Sequence, residues 1–278
     1  MINCKLIIGI IASNSSNNGG YNSSVYDDIV KYYISRLINY IEINNLPVMI
    51  FLLYDSNSNT NFEIDKRYII KSTYNASVIP GILLKTLDCL EFINNNYNFN
   101  YFFRTNLSSF IEINNLLKFI NKLPKENVYA GCGGHHNLSN GIYISGAGYI
   151  LSNDNVKFIL DNQNIIREKF INIIDDCAIG AFFNYFNKKI SNLENEEFKQ
   201  LFYGKCYELY SRYGPLNYKY RKLNRLLNDS ELKQIYDEFT KHKYYHSRIK
   251  NGNNRFQDLQ IFKYLTDKIY GLTKTLNN

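Results

Sequence analysis

The hydrophobic pattern of this chain alternates between two periods. Lys5 to Ala12, KLIIGIIA, is a continuous apolar run, which predicts a strand buried on both faces, as in a parallel sheet. It ends in Ser13 to Gly20, a loop by composition. With Ser24 as a cap, Val25, Ile29, Tyr33, Leu37 and Ile41 recur at a spacing of four and predict a helix. Pro47 opens a second apolar run, Val48 to Leu53, ending at Tyr54-Asp55. A short strand is expected around Tyr68 to Ile70. A helix is expected after Pro80, with Ile82, Leu83, Leu87, Leu90, Phe92 and Ile93 as its buried face. Tyr101 to Phe103, Val128 to Ala130 and Ile142 to Ile144 read as further strands. Ile113 to Asn121, Asn155 to Leu160, Cys177 to Phe186, Ser230 to Thr240 and Phe256 to Tyr270 read as helices.

The first half thus runs β, α, β, β, α, β. That order predicts an open, largely parallel α/β sheet with helices on both faces and ligands at the carboxyl ends of the strands. No internal repeat or clean linker divides the 278 residues, so one domain is expected. The hydrophobic share of 45% against 21% charged excludes a disordered chain. Cys4, Cys89, Cys132, Cys177 and Cys206 are odd in number and widely spaced, with no C-x-x-C. A disulfide scaffold is thereby disfavoured, and reduced thiols in a cytoplasmic setting are expected. Met1 to Ala12 is too short for a membrane span and poor as a signal peptide. The net charge of +7 fits either a solvated basic surface or an anionic partner, a diphosphate or a nucleic acid.

Four clusters carry possible chemistry. Ala12-Ser13-Asn14 lies at a strand end, where a base or ribose is held in an α/β sheet. YFFRTNLSSF, Tyr101 to Phe110, delivers Arg104, Asn106 and Ser108 to a tight turn. These suit an anion or a sugar, or serve only as an Asx turn and a helix cap. IYISGAGYILSN, Ile142 to Asn153, has Gly146 and Gly148 around Ala147, where backbone can approach a ligand closely. It is not a G-x-G-x-x-G loop, which argues against a dinucleotide oxidoreductase. Downstream, Asp175-Asp176 stands at a helix start, either complementing the dipole or supplying a general base. Finally, His246, Arg248 and Lys250 share one face if extended, with Arg255 close behind. They form either a diphosphate clamp or a solvated basic strand. CGGHHN, with Cys132, His135 and His136, is a poor zinc site because adjacent histidines seldom reach one ion. It is expected to be a loop beside the acceptor site.

Taken in order, these segments resemble GT-A glycosyltransferases of the Fringe and β1,3-galactosyltransferase group. Asp175 to Gly180, DDCAIG, is similar to the Asp-Asp-Cys-Thr-Ile-Gly stretch of Fringe-type enzymes, and ISGAGYILS to their acceptor-side Gly-Gly-Ala-Gly segment. IPGILLKTLDCLEFI resembles the helix that carries a lysine ahead of the metal-site strand, which would make Lys85 that lysine. His246 resembles the histidine placed on the donor diphosphate or its metal. YFFRTNLSSF and HSRIKNGNNR also resemble glycosyltransferase-like proteins of large DNA viruses.

The resemblance implies a GT-A-type sheet with a nucleotide-binding half (residues 1–110) and an acceptor half with a C-terminal diphosphate-contacting segment (residues 111–278). It also implies an inverting transfer from a nucleotide-sugar, UDP by default, to a glycan, glycoprotein or lipid hydroxyl. Ala12, Ser13, Asn14, Lys85, Arg104, Asn106, Ser108, His246, Arg248, Lys250 and Arg255 would meet the donor. Gly146, Ala147 and Gly148 would line the acceptor side, and Asp176 or Asp175 would be the base. The family's DxD is replaced by Asn106-Leu107-Ser108, which are weak ligands for a hard cation. No cofactor is therefore expected, and Mn²⁺ or Mg²⁺ would have only Asn106, Ser108 and His246. The rivals are a nucleotide-sugar-binding protein without activity and a nucleic-acid binder. The second is disfavoured because strands buried on both faces leave no stacking platform.

Overall fold

The computed structural model describes residues 2–13, 25–56, 65–75, 77–139, 141–186, 206–208, 225–250 and 254–271. Strand β1 (Ile2–Ile11) leads to helix α1 (Tyr26–Ile29), which passes through a π turn (Val30–Ile34) into α2 (Ser35–Ile43). Then come β2 (Val48–Asp55), β3 (Ile69–Ser72), α3 (Gly81–Asn96), β4 (Tyr97–Asn106), β5 (Ser109–Ile111) and α4 (Ile113–Ile120). The remainder contributes β6 (Tyr129–His136), β7 (Gly141–Ser152), α5 (Asn153–Asp161), α6 (Gln163–Ile165), α7 (Asp175–Tyr185) and β8 (Cys206–Glu208). It closes with α8 (Asp229–Lys241), β9 (His246–Arg248) and α9 (Arg255–Tyr270).

Six strands form the main sheet in the order β3-β2-β1-β4-β7-β6. β3, β2, β1 and β4 are mutually parallel, and β7 runs antiparallel to both β4 and β6. This is the open, mostly parallel Rossmann-like sheet expected for a GT-A-type chain. The apolar run of β1 explains its central place, since every residue from Leu6 to Ile11 is buried and both neighbouring strands are paired. On one face, Phe51 meets Phe92 of α3, and a Cβ at Gly9 would lie 3.4 Å from Cys89 of α3. On the other face, Ile50 lines a space shared with Ile38 and Ile41 of α2, and Phe103 meets His246 of β9 edge-on.

Because the first four strands are parallel, Ala12, Asp55, Ser72 and Asn106 end at one edge of the sheet. A second sheet, β5-β9-β8, lies beside that edge. It is held by buried tyrosines. The Ile111 amide donates to Tyr33 Oη at 2.6 Å, and Tyr270 Oη donates to Ile111 O at 2.6 Å while accepting from the Ile113 amide at 2.9 Å. Tyr33 stacks on Phe110 with ring centroids 4.7 Å apart. Apolar burial and satisfied backbone groups thus fix β9, and with it His246.

Several elements differ from expectation. β7 covers twelve residues, not three. CGGHHN is not a loop: Cys132 to His136 lie in β6, where Gly133 to His136 pair with Ile144 to Gly141. Tyr68 closes a 3₁₀ turn, and the strand begins at Ile69. β9 stops at Arg248, so Lys250 follows the strand rather than sharing its face. Ser24 lies outside the described residues.

Candidate active site

The site is built on an irregularity in β7. Its ladder with β6 runs Gly131↔Tyr149 and then Gly133↔Ile144, so Cys132 alone stands opposite Ser145, Gly146, Ala147 and Gly148. Such a bulge re-aims backbone groups that a regular strand would spend on its neighbour. The carbonyls it frees are taken up by side chains. Arg104 and Asn106 both donate to Gly146 O, the latter at 3.1 Å. Ala147 O accepts from Thr105 Oγ1 at 2.6 Å, Ser109 Oγ at 3.0 Å and His246 Nε2 at 2.9 Å. In the third of these Nε2 carries the proton, because a carbonyl oxygen only accepts.

Both glycines stand where side chains pack closely on the backbone. A Cβ at Gly146 would sit 2.7 Å from Arg104 Nη1, and one at Gly148 2.9 Å from His246 Nε2. The close approach read from the sequence is therefore made by the protein's own side chains.

Helix α7 brings in the two carboxylates. Asp175 is buried and ion-paired with Arg104. Burial pushes its pKa up, Arg104 opposes this, and Asp176 adds to it. Asp176 is partly exposed. Its Oδ2 accepts from the Gly146 amide at 2.8 Å and its Oδ1 from the Cys177 amide at 2.9 Å. Arg104 also lies over the ring of Tyr149, 5.7 Å from the centroid. The two neighbouring acids thus have different environments: one is committed to a guanidinium, the other is held by amides and reaches solvent.

The remaining sequence candidates fall around this bulge or near it. Asn106 Oδ1 accepts from the Ser108 amide at 3.0 Å, an Asx turn. Ser108 Oγ lies 3.3 Å from both Tyr26 Oη and Arg255 Nη2. Arg255 is fully buried and paired with buried Asp258, so it does not reach solvent as a free clamp. His246 is also buried, and desolvation lowers its pKa to about 4. Arg248 stands opposite Ser109 in the small sheet. Burial, followed by Arg248 and Arg255, lowers the pKa of Lys250, and Asp258 opposes them. Lys250 thus feels two cations and one acid that Arg255 already occupies.

Lys85 is buried with Nζ 3.9 Å from Asp55 Oδ2 and without a hydrogen bond among the described residues. Desolvation lowers its pKa, opposed by Asp55. Ala12 and Ser13 follow β1 at the same edge, while Asn14 lies outside the described residues. Thr105, Ser109, Tyr26 and Asp258 are not among the site residues expected from sequence. Nothing in their spacing marks a side chain whose partner is a distant carbonyl or a buried guanidinium.

Among the described residues, no group of three or more His, Cys, Asp or Glu is placed to hold a metal. No helix among them is long and apolar enough to cross a membrane. A cavity of about 600 Å³, lined by Ile38, Ile41, Val48 and Tyr97 among others, opens at the amino-terminal edge of the sheet, away from these residues.

Fold and cluster together define an α/β protein with a cluster of polar and charged side chains at the carboxyl edge of the parallel strands. No protein-family model matches the chain, and no curated protein does. Among solved structures it is similar to a glycosyltransferase involved in the glycosylation of the major capsid of PBCV-1, at 11% identity and a TM-score of 0.38, over 94% of this chain and 98% of that one. It is also similar to HddC from Yersinia pseudotuberculosis, at 15% identity and a TM-score of 0.32, over 68% of this chain and 98% of that one. Neither likeness singles out the Fringe group.

Proposed function

We propose that the protein is a glycosyltransferase. It would move a sugar from a nucleotide diphosphate donor, with UDP the first candidate, to a hydroxyl of a glycan, glycoprotein or lipid. The observation that carries this reading is the placement of Asp176. A solvent-reaching carboxylate, held by the Gly146 amide, stands at the carboxyl edge of the sheet in the cluster that includes Arg104 and His246.

In the proposed reaction Asp176 takes the acceptor's hydroxyl proton as the oxygen bonds to the anomeric carbon. The bond from that carbon to the diphosphate breaks, its electron pair leaves with the phosphate, and the carbon inverts. Arg248 and Lys250 would offset the charge on the departing diphosphate. Asp175, committed to Arg104, would be the second acid of the pair rather than the base. Asn106-Leu107-Ser108 offers no carboxylate to a divalent cation, which favours a metal-independent transfer.

A screen of UDP-, GDP- and dTDP-sugars by thermal shift tests the donor class, because a ligand that binds only the native state raises its apparent stability. The bound donor is then assayed for turnover in EDTA and with Mn²⁺. Unchanged turnover in EDTA is expected. Complete loss restored by Mn²⁺ would reject metal independence, and absence of any nucleotide-sugar binding would reject the function.

A second reading has one observation in its favour. Asn106, at the DxD position, spends its side chain on the Ser108 amide and Gly146 O. A nucleotide-sugar-binding protein without transfer would bind a donor and never consume it.

A further inference from the structure

The residues that look like a donor clamp in the sequence divide into two groups, and the first is committed to the β7 bulge. His246 is fully buried and donates to Ala147 O. Thr105 and Ser109 donate to the same oxygen. Arg104, also buried, is held between Gly146 O and Asp175. All four end on the β7 bulge or on α7, and the bulge presents the amide that grips Asp176. A regular strand could not aim that amide at α7, since its backbone groups would stay in the ladder. A carbonyl that receives three donors, as Ala147 O does, is tightly located. Lys250, in contrast, makes no hydrogen bond or ion pair among the described residues and sits close to Arg248 and Arg255.

We propose that His246, with Arg104, Thr105 and Ser109, is a positioning residue: it locks the β7 bulge so that the Gly146 amide holds the Asp176 carboxylate in place, and it does not touch the donor. This rests on the reading of Asp176 as the base. The donor phosphates would be met by Lys250, which lies near Arg248.

The test compares His246→Phe with His246→Gln, since a glutamine amide can occupy the Nε2 position and keep the bond to Ala147 O. The first readout needs no substrate: hydrogen exchange of the Gly146 amide, followed by NMR. In His246→Phe this amide is expected to exchange about tenfold faster than in wild type, and His246→Gln is expected to restore its protection. The second readout is kinetic. His246→Phe is expected to lower kcat by about tenfold to a hundredfold with donor KM within about twofold. Lys250→Ala is expected to raise donor KM with little change in Gly146 exchange.

Unchanged exchange in His246→Phe overturns the proposal. So does a His246→Phe variant that loses donor affinity at unchanged kcat, or a His246→Gln variant as impaired as His246→Phe. Should His246→Phe fail to fold, Thr105→Val with Ser109→Ala removes two of the three donors to Ala147 O and is read in the same way. If wild type binds no nucleotide-sugar, the assigned function fails while the exchange result still judges the positioning role.

Discussion

The β7 bulge and the junction between β9 and α9 are both rich in polar side chains, yet they solve opposite electrostatic problems. At the bulge, Arg104 is matched by Asp175 and Gly146 O, and His246 by Ala147 O. At the junction, Lys250 lies near Arg248 and Arg255, and the acid that opposes them at Lys250, Asp258, is paired with Arg255. A closed network rigidifies its surroundings and has little left for a ligand. A cluster with surplus charge is destabilised by self-repulsion and gains when an anion arrives. Residue type alone does not separate the two, since each contains arginine beside a second basic side chain. Partners do.

The largest expected effect comes from opening the closed region. Arg104→Met leaves Asp175 buried without its counter-ion, which typically costs about 3–5 kcal/mol. Urea denaturation measures this, and a loss below about 1 kcal/mol would mean that Asp175 finds another partner.

Next in size is the pH response of the same region. The pKa of His246 is depressed to about 4 when folded, against about 6.5 in the unfolded chain. The unfolded state therefore binds the extra proton between those values. Stability from this residue is fully present above about pH 6.5 and falls by about 3 kcal/mol as the pH drops toward 4. Denaturation curves across that window should lose this component in His246→Gln. An identical pH slope in the variant would contradict the assignment.

The smallest effect on folding belongs to the open region. Lys250→Ala is expected to leave stability within about 0.5 kcal/mol of wild type. It should weaken binding of a nucleoside diphosphate by about tenfold, read by calorimetry. If instead it destabilises the fold and spares binding, the contrast between the two regions disappears.

The sheet was legible in sequence wherever burial on both faces forces an unbroken apolar run, as in Leu6 to Ile11 and Val48 to Leu53. Helices with a clear period were legible too, and Ser230 to Thr240 lies within the observed Asp229–Lys241. β6 and β7 were under-read because GCGGHH and SGAG lack the alternation that marks a strand. The small sheet was hidden because three-residue strands carry no period. For the site, the sequence pointed to Arg104, Gly146, Gly148, Asp176 and His246, which the fold does gather. It could not reveal that a backbone bulge gathers them, because carbonyl acceptors belong to every residue alike. The separation of Asp175 from Asp176 was equally hidden, since it depends on which of two adjacent acids faces Arg104.

The most direct check on the whole account is a single paired experiment. Wild type and Asp176→Asn are each saturated with the nucleotide-sugar that binds best, and release of the nucleoside diphosphate is followed in the presence of a hydroxyl acceptor. The account predicts equal donor binding and turnover lower by about a hundredfold to ten-thousandfold in the variant. Equal turnover in the two proteins would contradict it.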